Sequence, residues 1–219
     1  MAEGMKMTEN IQVFRQNHIC IRFGNRIIHT DPFMSDFSPR NADFILITHD
    51  HHDHFSLKDI EKTANKNTVL IYPEDMRKKA AEAEKYVGKT FSVKPCESRN
   101  IEGLEFETVP SYNIGKPFHP KSAGWVGYIL KIDGKRIYIA GDTDDTKEAE
   151  QVKCDIALVP IGGTYTMNAL QAAEFINIIK PEIAIPVHYG GIVGSIKDGE
   201  TFEKAVDKDI KVEFKIKFR

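Results

Sequence analysis

Residues 45–56 read ILITHDHHDHFS, with four histidines and two aspartates in six consecutive positions directly after an apolar run. In an extended segment, side chains two residues apart point the same way, so His49 and His51 can grip one ion. A turn then brings the adjacent Asp53 and His54 to a second position, with Asp50 and His52 as spacers turned away. Imidazole suits zinc, iron, nickel or copper, and the added carboxylate keeps zinc, iron and manganese open. The plainer reading is a solvated histidine-rich loop, and the apolar strand pattern just before the cluster argues against it. Asp31, at the end of IIHTDPF, is placed to hold a ligand histidine by a hydrogen bond that fixes ring orientation and tautomer. His18 and His29 lack such context and read as structural.

The elements around these residues must position them. IQVFRQ, HICIRFG and RIIHTDPF read as short strands, the last ended by Pro32. ADFILIT is nearly all apolar, as a strand covered on both faces would be. SLKDIEKTA follows as a helix capped by Ser56, with Asp59 at the spacing of a capping box. NTVLIYP reads as a strand and PEDMRKKAAEAEKY as a helix. From Thr90 to Asp142 the pattern is β, including GLEFETVP and a hairpin signalled by Asp133-Gly134. CDIALVPIGG then reads as a buried strand. NALQAAEFINIIKP reads as a helix boxed by Asn168 and Gln171. EIAIPVHYGG is a strand, DGETFEKAVDK a helix and DIKVEFKIKF a last strand. Strand-rich segments followed by β–α units thus occur twice, which favours paired sheets with helices packed outside. The candidate residues follow strand ends, where α/β folds place sites.

The string THDHHDH after FILI resembles the signature of the metallo-β-lactamase superfamily. IYIAGDT is similar to its fourth motif, which places Asp142, and AIPVHYGG to its fifth, which places His188. The resemblance runs from about Asp31 to Gly191 in the family's order. It implies an α/β chain folded as a four-layer αββα sandwich, with a one- or two-metal site at one edge. The third motif departs from the pattern: VPSYNIGKPFHPK offers Asn113 where a histidine belongs, with His119 six residues on. Either Asn113 is a weak oxygen ligand, or His119 reaches the metal, or this ligand is missing; the reading favours His119. Together with GWVGY and AGDTD, that string also resembles small hydrolases related to ascorbate-6-phosphate lactonase and to phospholipid-cleaving phosphodiesterases.

The resemblance implies a metal-dependent hydrolase. His49, His51 and His119 would serve one ion, Asp53, His54 and His188 a second, and Asp142 would bridge. Asp53 and Asp142 carry the catalytic roles, and a metal-bound hydroxide attacks an ester, lactone or phosphodiester of a small anionic substrate. One or two zinc ions are expected, with Mn2+ or Fe2+ able to take the same donors. The alternative on the same fold is a non-haem iron redox protein, or a metal-dependent sensor without turnover. Near these motifs, Lys116 and Lys121 could meet a phosphate, and the glycine turn in PIGGTYTMN could present N–H groups to an anion. Tyr112, Trp125, Tyr165 and Tyr189 could line a pocket.

The 219 residues suffice for a sizeable core, burying roughly 70–75% of the unfolded surface, and read as a single domain over 1–219. With 30 basic and 32 acidic residues the net charge is −2, which disfavours nucleic acid as a partner. No apolar run reaches the roughly 20 residues of a membrane span, and MAEGMKMTEN lacks the apolar core of a secretion signal. Cys20, Cys96 and Cys154 are odd in number and widely spaced, as buried thiols in a reducing cytoplasm would be. A homo-oligomer is left open.

Overall fold

A computed structural model describes residues 8–218. Residues 1–7, part of the stretch examined for a secretion signal, lie outside the described residues. Packing divides the chain into two compact units. Described residues up to Val93, with Lys215–Lys217, form the first; Lys94–Phe214 with Phe218 form the second.

The first unit is built on a six-stranded sheet ordered β1-β2-β3-β4-β5-β6. Its strands are β1 (Ile11–Val13), β2 (Ile19–Phe23), β3 (Arg26–Thr30), β4 (Phe44–Leu46), β5 (Val69–Pro73) and β6 (Lys89–Val93). Pairing is antiparallel from β1 to β3 and parallel from β3 to β6. The short β4 works because all three of its residues are buried. Ile45 and Ile47 face one side, where they join Leu70, Tyr72 and Ile60 in a common core. Ile60 comes from α1 (Leu57–Thr63), whose N-cap is Ser56 as expected. The Asp59 carboxylate does not close a reciprocal box. It accepts instead from Ser56 Oγ and from the backbone N–H groups of Met34 and Ser35, tying the 31–35 loop to the helix.

One helix expected after β5 is not continuous. Two 3₁₀ turns, Glu74–Met76 and Ala81–Ala83, flank the four-residue α2 (Arg77–Ala80). Three successive cations, Arg77, Lys78 and Lys79, stand in the last turn of α2, where the helix dipole favours them.

The second unit carries a seven-stranded sheet ordered β13-β12-β11-β10-β9-β8-β7. Strands β7 (Ser98–Ile101), β8 (Leu104–Pro110), β9 (Val126–Ile132) and β10 (Lys135–Ile139) pair antiparallel. From β10 the pairing turns parallel through β11 (Ile156–Pro160), β12 (Ile183–Val187) and β13 (Lys211–Val212). The β9–β10 turn has φ of 49° at Asp133 and 75° at Gly134, the left-handed pair that the hairpin signal requires. The helix α3 (Ala169–Ile179) opens with the full Asn168–Gln171 capping box and buries Ala169, Ala172, Ala173 and Ile176 on one stripe. The last helix, α4 (Lys197–Ala205), is held to α3 by Asn177 Nδ2 donating to the Ala205 carbonyl at 3.0 Å.

The last strand is shorter than its alternation predicts. Only Lys211–Val212 pairs with β12, and Ile216 bridges to Val13 instead. The expected α/β class, with each strand-rich half followed by a parallel half, is observed in both units. Among the described residues, no helix is long and apolar enough to cross a membrane. Of the three cysteines expected to be buried, Cys20 is buried, Cys154 is partly covered and Cys96 is exposed. Cys96 stands at a turn position with φ of 64°, which lifts it out of the core.

Candidate metal centre

In the first unit the candidate residues follow the C-terminal ends of neighbouring parallel strands, Asp31 after β3 and His49 after β4. The His51 carbonyl accepts from the N–H groups of His54 at 3.0 Å and Phe55 at 2.8 Å, which is the expected turn. The His49 and His54 rings come to 3.9 Å between centroids. His49 Nε2 and His51 Nδ1 face each other at 3.2 Å, and His54 Nε2 lies 3.7 Å from Asp53 Oδ2. Asp50 turns toward Lys79, and His52 is 81% exposed at its side chain, so both spacers leave the cluster.

Behind the cluster lies Asp31, wholly buried. Its Oδ1 accepts from Thr48 N–H at 2.8 Å. Its Oδ2 accepts from Thr48 Oγ1 at 2.6 Å, Asn17 Nδ2 at 2.7 Å and His54 Nδ1 at 2.7 Å. Four donors thus meet on one buried carboxylate. They settle two tautomers. His54 donates from Nδ1, leaving the Nε2 lone pair outward. The Thr48 hydroxyl gives its proton to Asp31, so it accepts from His49 Nδ1 at 3.0 Å and leaves His49 Nε2 outward as well.

In the second unit Asp142 follows β10 and His188 follows β12, two strands on either side of β11. Both Nε2 atoms of His119 and His188 converge on Asp142 Oδ2, at 3.5 and 3.4 Å. All three residues are buried. His119 is brought in by a loop stapled to the Asp142 segment. Ser111 Oγ donates to the Asp142 carbonyl, Ile114 N–H donates to Asp144 Oδ2, and the Lys116 ammonium pairs with Asp144. Asn113 does not stand beside His119 as a rival donor. Its Oδ1 accepts from His119 Nδ1 at 2.9 Å, which directs His119 Nε2 toward Asp142. Two glycines permit the close approaches: a Cβ at Gly127 would meet the Ile139 and Ala140 carbonyls at 2.7 Å, and one at Gly162 would meet the His188 carbonyl at 2.3 Å.

The structure therefore groups His49, His51, Asp53 and His54 in one unit and His119, Asp142 and His188 in the other. Lys116 and Lys121, expected as anion contacts, are committed to Asp144 and Glu148. The glycine turn bonds to itself, Gly163 N–H to the Met167 carbonyl and Thr164 N–H to the Gly162 carbonyl. Asn17 and Thr48 were not anticipated; only the polar side chain next to His49 hinted at Thr48, and nothing local marks Asn17. His18 and His29 form a separate buried pair, Nε2 to Nδ1 at 3.1 Å, and burial pushes them down to about 3 and about 4.

The donor set fits a tetrahedral cation. Two ligand atoms each about 2.1 Å from such an ion lie about 3.4 Å apart. Within the units the His49–His51, His188–Asp142 and His119–Asp142 separations of 3.2, 3.4 and 3.5 Å lie close to that chord, and His54–Asp53 at 3.7 Å is somewhat longer.

A family model described as a beta-lactamase superfamily domain matches residues 10–188. The chain is 33% identical over 205 residues to a UPF0173 metal-dependent hydrolase of Pyrococcus furiosus, covering 86% of this chain and 88% of that one. A solved structure described as a metal-dependent hydrolase from Parabacteroides distasonis has a TM-score of 0.80 at 32% identity, covering 94% of this chain and 93% of its own. A diiron beta-hydroxylase from Streptomyces venezuelae is similar in fold alone, with a TM-score of 0.71 at 15% identity over 93% of this chain and 52% of that chain. The metallo-β-lactamase fold expected from the motifs is observed, and it hosts more than one metal chemistry.

Proposed function

From the premise that the chain belongs to the beta-lactamase superfamily, and within it to the UPF0173 metal-dependent hydrolases, we propose that it hydrolyses an ester, lactone or phosphodiester of a small substrate. The two units act as a single hydrolase domain. His49, His51 and His119 would hold one ion and Asp53, His54 and His188 a second, with Asp142 as a further carboxylate ligand. The observation that carries this reading is the matched chord: three donor pairs, two of them sharing Asp142 Oδ2, stand at the spacing of ligands on one ion. Zinc is the ion proposed, because five imidazoles and two carboxylates suit it best among abundant divalent metals.

A divalent ion bound here lowers the pKa of water toward ~7 and polarises the oxygen of the scissile group. The chain's own residues do the rest. Asp31 and Thr48 hold His54 and His49 in the tautomers that turn Nε2 outward. Asn113 does the same for His119. Asp53 is the more open of the two candidate carboxylates, 12% exposed at its side chain against 4% for Asp142. It is the group that takes the proton from attacking water and returns it to the leaving oxygen.

A hydrolysis screen of lactones, esters and phosphodiesters, run with Zn2+ and Mn2+ added separately, tests the reading. Turnover that needs the metal and is lost in His49→Ala supports it. Ligand binding without turnover of any of these would replace the enzyme with a sensor. Iron in the purified protein, with oxygen consumption in place of hydrolysis, would put it with the hydroxylase.

A further inference from the structure

The exposed large apolar side chains of the second unit include Phe118, directly before His119 in the chain, Tyr165, and Ile114, directly after Asn113. Ile114 is 57% exposed, Phe118 40% and Tyr165 36%. The Phe118 and Tyr165 rings meet edge to face, with centroids 4.7 Å apart and planes at 85°. Phe118 directly precedes the buried His119. Tyr165 crests the loop after β11, the strand between those that end at Asp142 and His188.

This rim is built into the support of the candidate ligand. Asn113 Nδ2 donates to the Tyr165 carbonyl at 2.9 Å, while the same side chain accepts from His119 Nδ1. Lys116 Nζ donates to the Thr166 carbonyl at 2.8 Å. Gly162, three residues before Tyr165, lies against the His188 carbonyl. The cations nearest in sequence, Lys116 and Lys121, are engaged by Asp144 and Glu148. The rim therefore offers aromatic and aliphatic surface to a ligand, with its neighbouring charges already neutralised.

We propose that Phe118, Tyr165 and Ile114 receive an alkyl or aryl arm of the substrate, and that the bond cleaved is a carboxylic ester or lactone rather than a phosphodiester. The assignment rests on the hydrolase reading above. Water oxygen bonds to the carbonyl carbon, the carbon–oxygen bond to the alcohol breaks, and the departing oxygen takes a proton, giving an alcohol and a carboxylate.

The test measures kcat/KM of the zinc-loaded protein by pH-stat on γ-butyrolactone, γ-hexalactone, γ-octalactone and γ-decalactone, with glycerophosphocholine as the diester. A fully buried methylene is worth about fourfold, and a half-covered one about twofold. Six added carbons separate the shortest lactone from the longest, so the proposal expects a rise of about sixtyfold when each is half covered. Phe118→Ser and, independently, Tyr165→Ser each bring that ratio toward one while metal content stays at the wild-type level. Calorimetric affinity for octanoate over acetate falls in parallel. A flat series, or a slope that survives both substitutions, overturns the proposal, as does a concentration-dependent dimer that Phe118→Ser abolishes while lactone length has no effect. Cleavage of the diester in preference to every lactone overturns it too but leaves the hydrolase reading standing. No zinc-dependent turnover of any of these substrates sinks both.

Discussion

Replacing Asn113 by alanine separates the two roles its position allows, ligand or support. In the structure its Oδ1 accepts from Nδ1 of the fully buried His119 ring, and its Nδ2 donates to the Tyr165 carbonyl. Truncation leaves a buried imidazole N–H without an acceptor, at a cost of about 1–3 kcal/mol. The Tyr165 carbonyl belongs to a residue with solvent access, so its loss adds at most about 1 kcal/mol. A total of about 1–4 kcal/mol lowers the melting temperature by roughly 2–16 °C in a chain of this length. The same change frees His119 to move its proton to Nε2, where Asp142 Oδ2 at 3.5 Å can accept it and compete with an ion. Losing such an outer partner costs roughly 10–100-fold in metal affinity. Competition titrations against a zinc chelator, with a thermal melt of the metal-free protein, measure both. Asn113→Asp is the informative companion. It keeps an acceptor for His119 but faces the Tyr165 carbonyl with oxygen, so stability falls while affinity stays within a few-fold of wild type. If Asn113 were a ligand, the aspartate would bind zinc more tightly than the native protein. Unchanged affinity and melting temperature in Asn113→Ala would refute the support role.

Other outcomes follow from the same contacts. Asp31→Asn sets an amide N–H₂ against the Thr48 N–H or against the three donors on Oδ2; a loss of about 2–4 kcal/mol and weaker zinc binding are expected by denaturant titration and chelator competition. Gly162→Ala forces a methyl against the His188 carbonyl, a backbone atom that cannot swing aside; a loss of about 1–3 kcal/mol should appear as a lower melting temperature, together with reduced zinc retention. The buried His18–His29 pair gives the protein an acid limit away from the candidate ligands. Both folded-state pKa values, about 3 and about 4, lie below the ordinary 6.5. The unfolded chain therefore binds more protons, and stability falls as pH drops below ~6.5 toward ~4. Denaturation midpoints measured from pH 7 to 4.5 should show that slope, and His18→Gln should flatten it; a midpoint that rises on acidification would contradict the assignment.

The features that the sequence displays well are local ones. His49 and His51 share a direction because period two holds in an extended segment, and the turn at His51 to Phe55 closes within five residues. The Asp133-Gly134 hairpin and the Asn168 capping box are likewise contained in a few positions. What depends on distant partners is harder to read. Asn17 reaches Asp31 from a turn 14 residues upstream, and no short pattern marks an amide for that task. The choice between Asn113 and His119 could not be resolved from spacing, because both belong to one loop whose path is set by Asp144, Lys116 and Ser111. The segment after β5 carries strong helix formers, yet only a four-residue α turn forms there, flanked by two 3₁₀ turns. The tail over 209–218 alternates as a strand should, but only Lys211 and Val212 pair with β12, with one further bond from Glu213 N–H to the Ala184 carbonyl.

The proposed metal-dependent hydrolysis is tested most directly by elemental analysis of the purified chain beside His49→Ala and Asp142→Ala. The account predicts one to two zinc ions per wild-type chain, a clear loss of metal in each variant and a parallel loss of hydrolysis. Full hydrolytic activity in a metal-free protein, or undiminished metal in both variants, would contradict it.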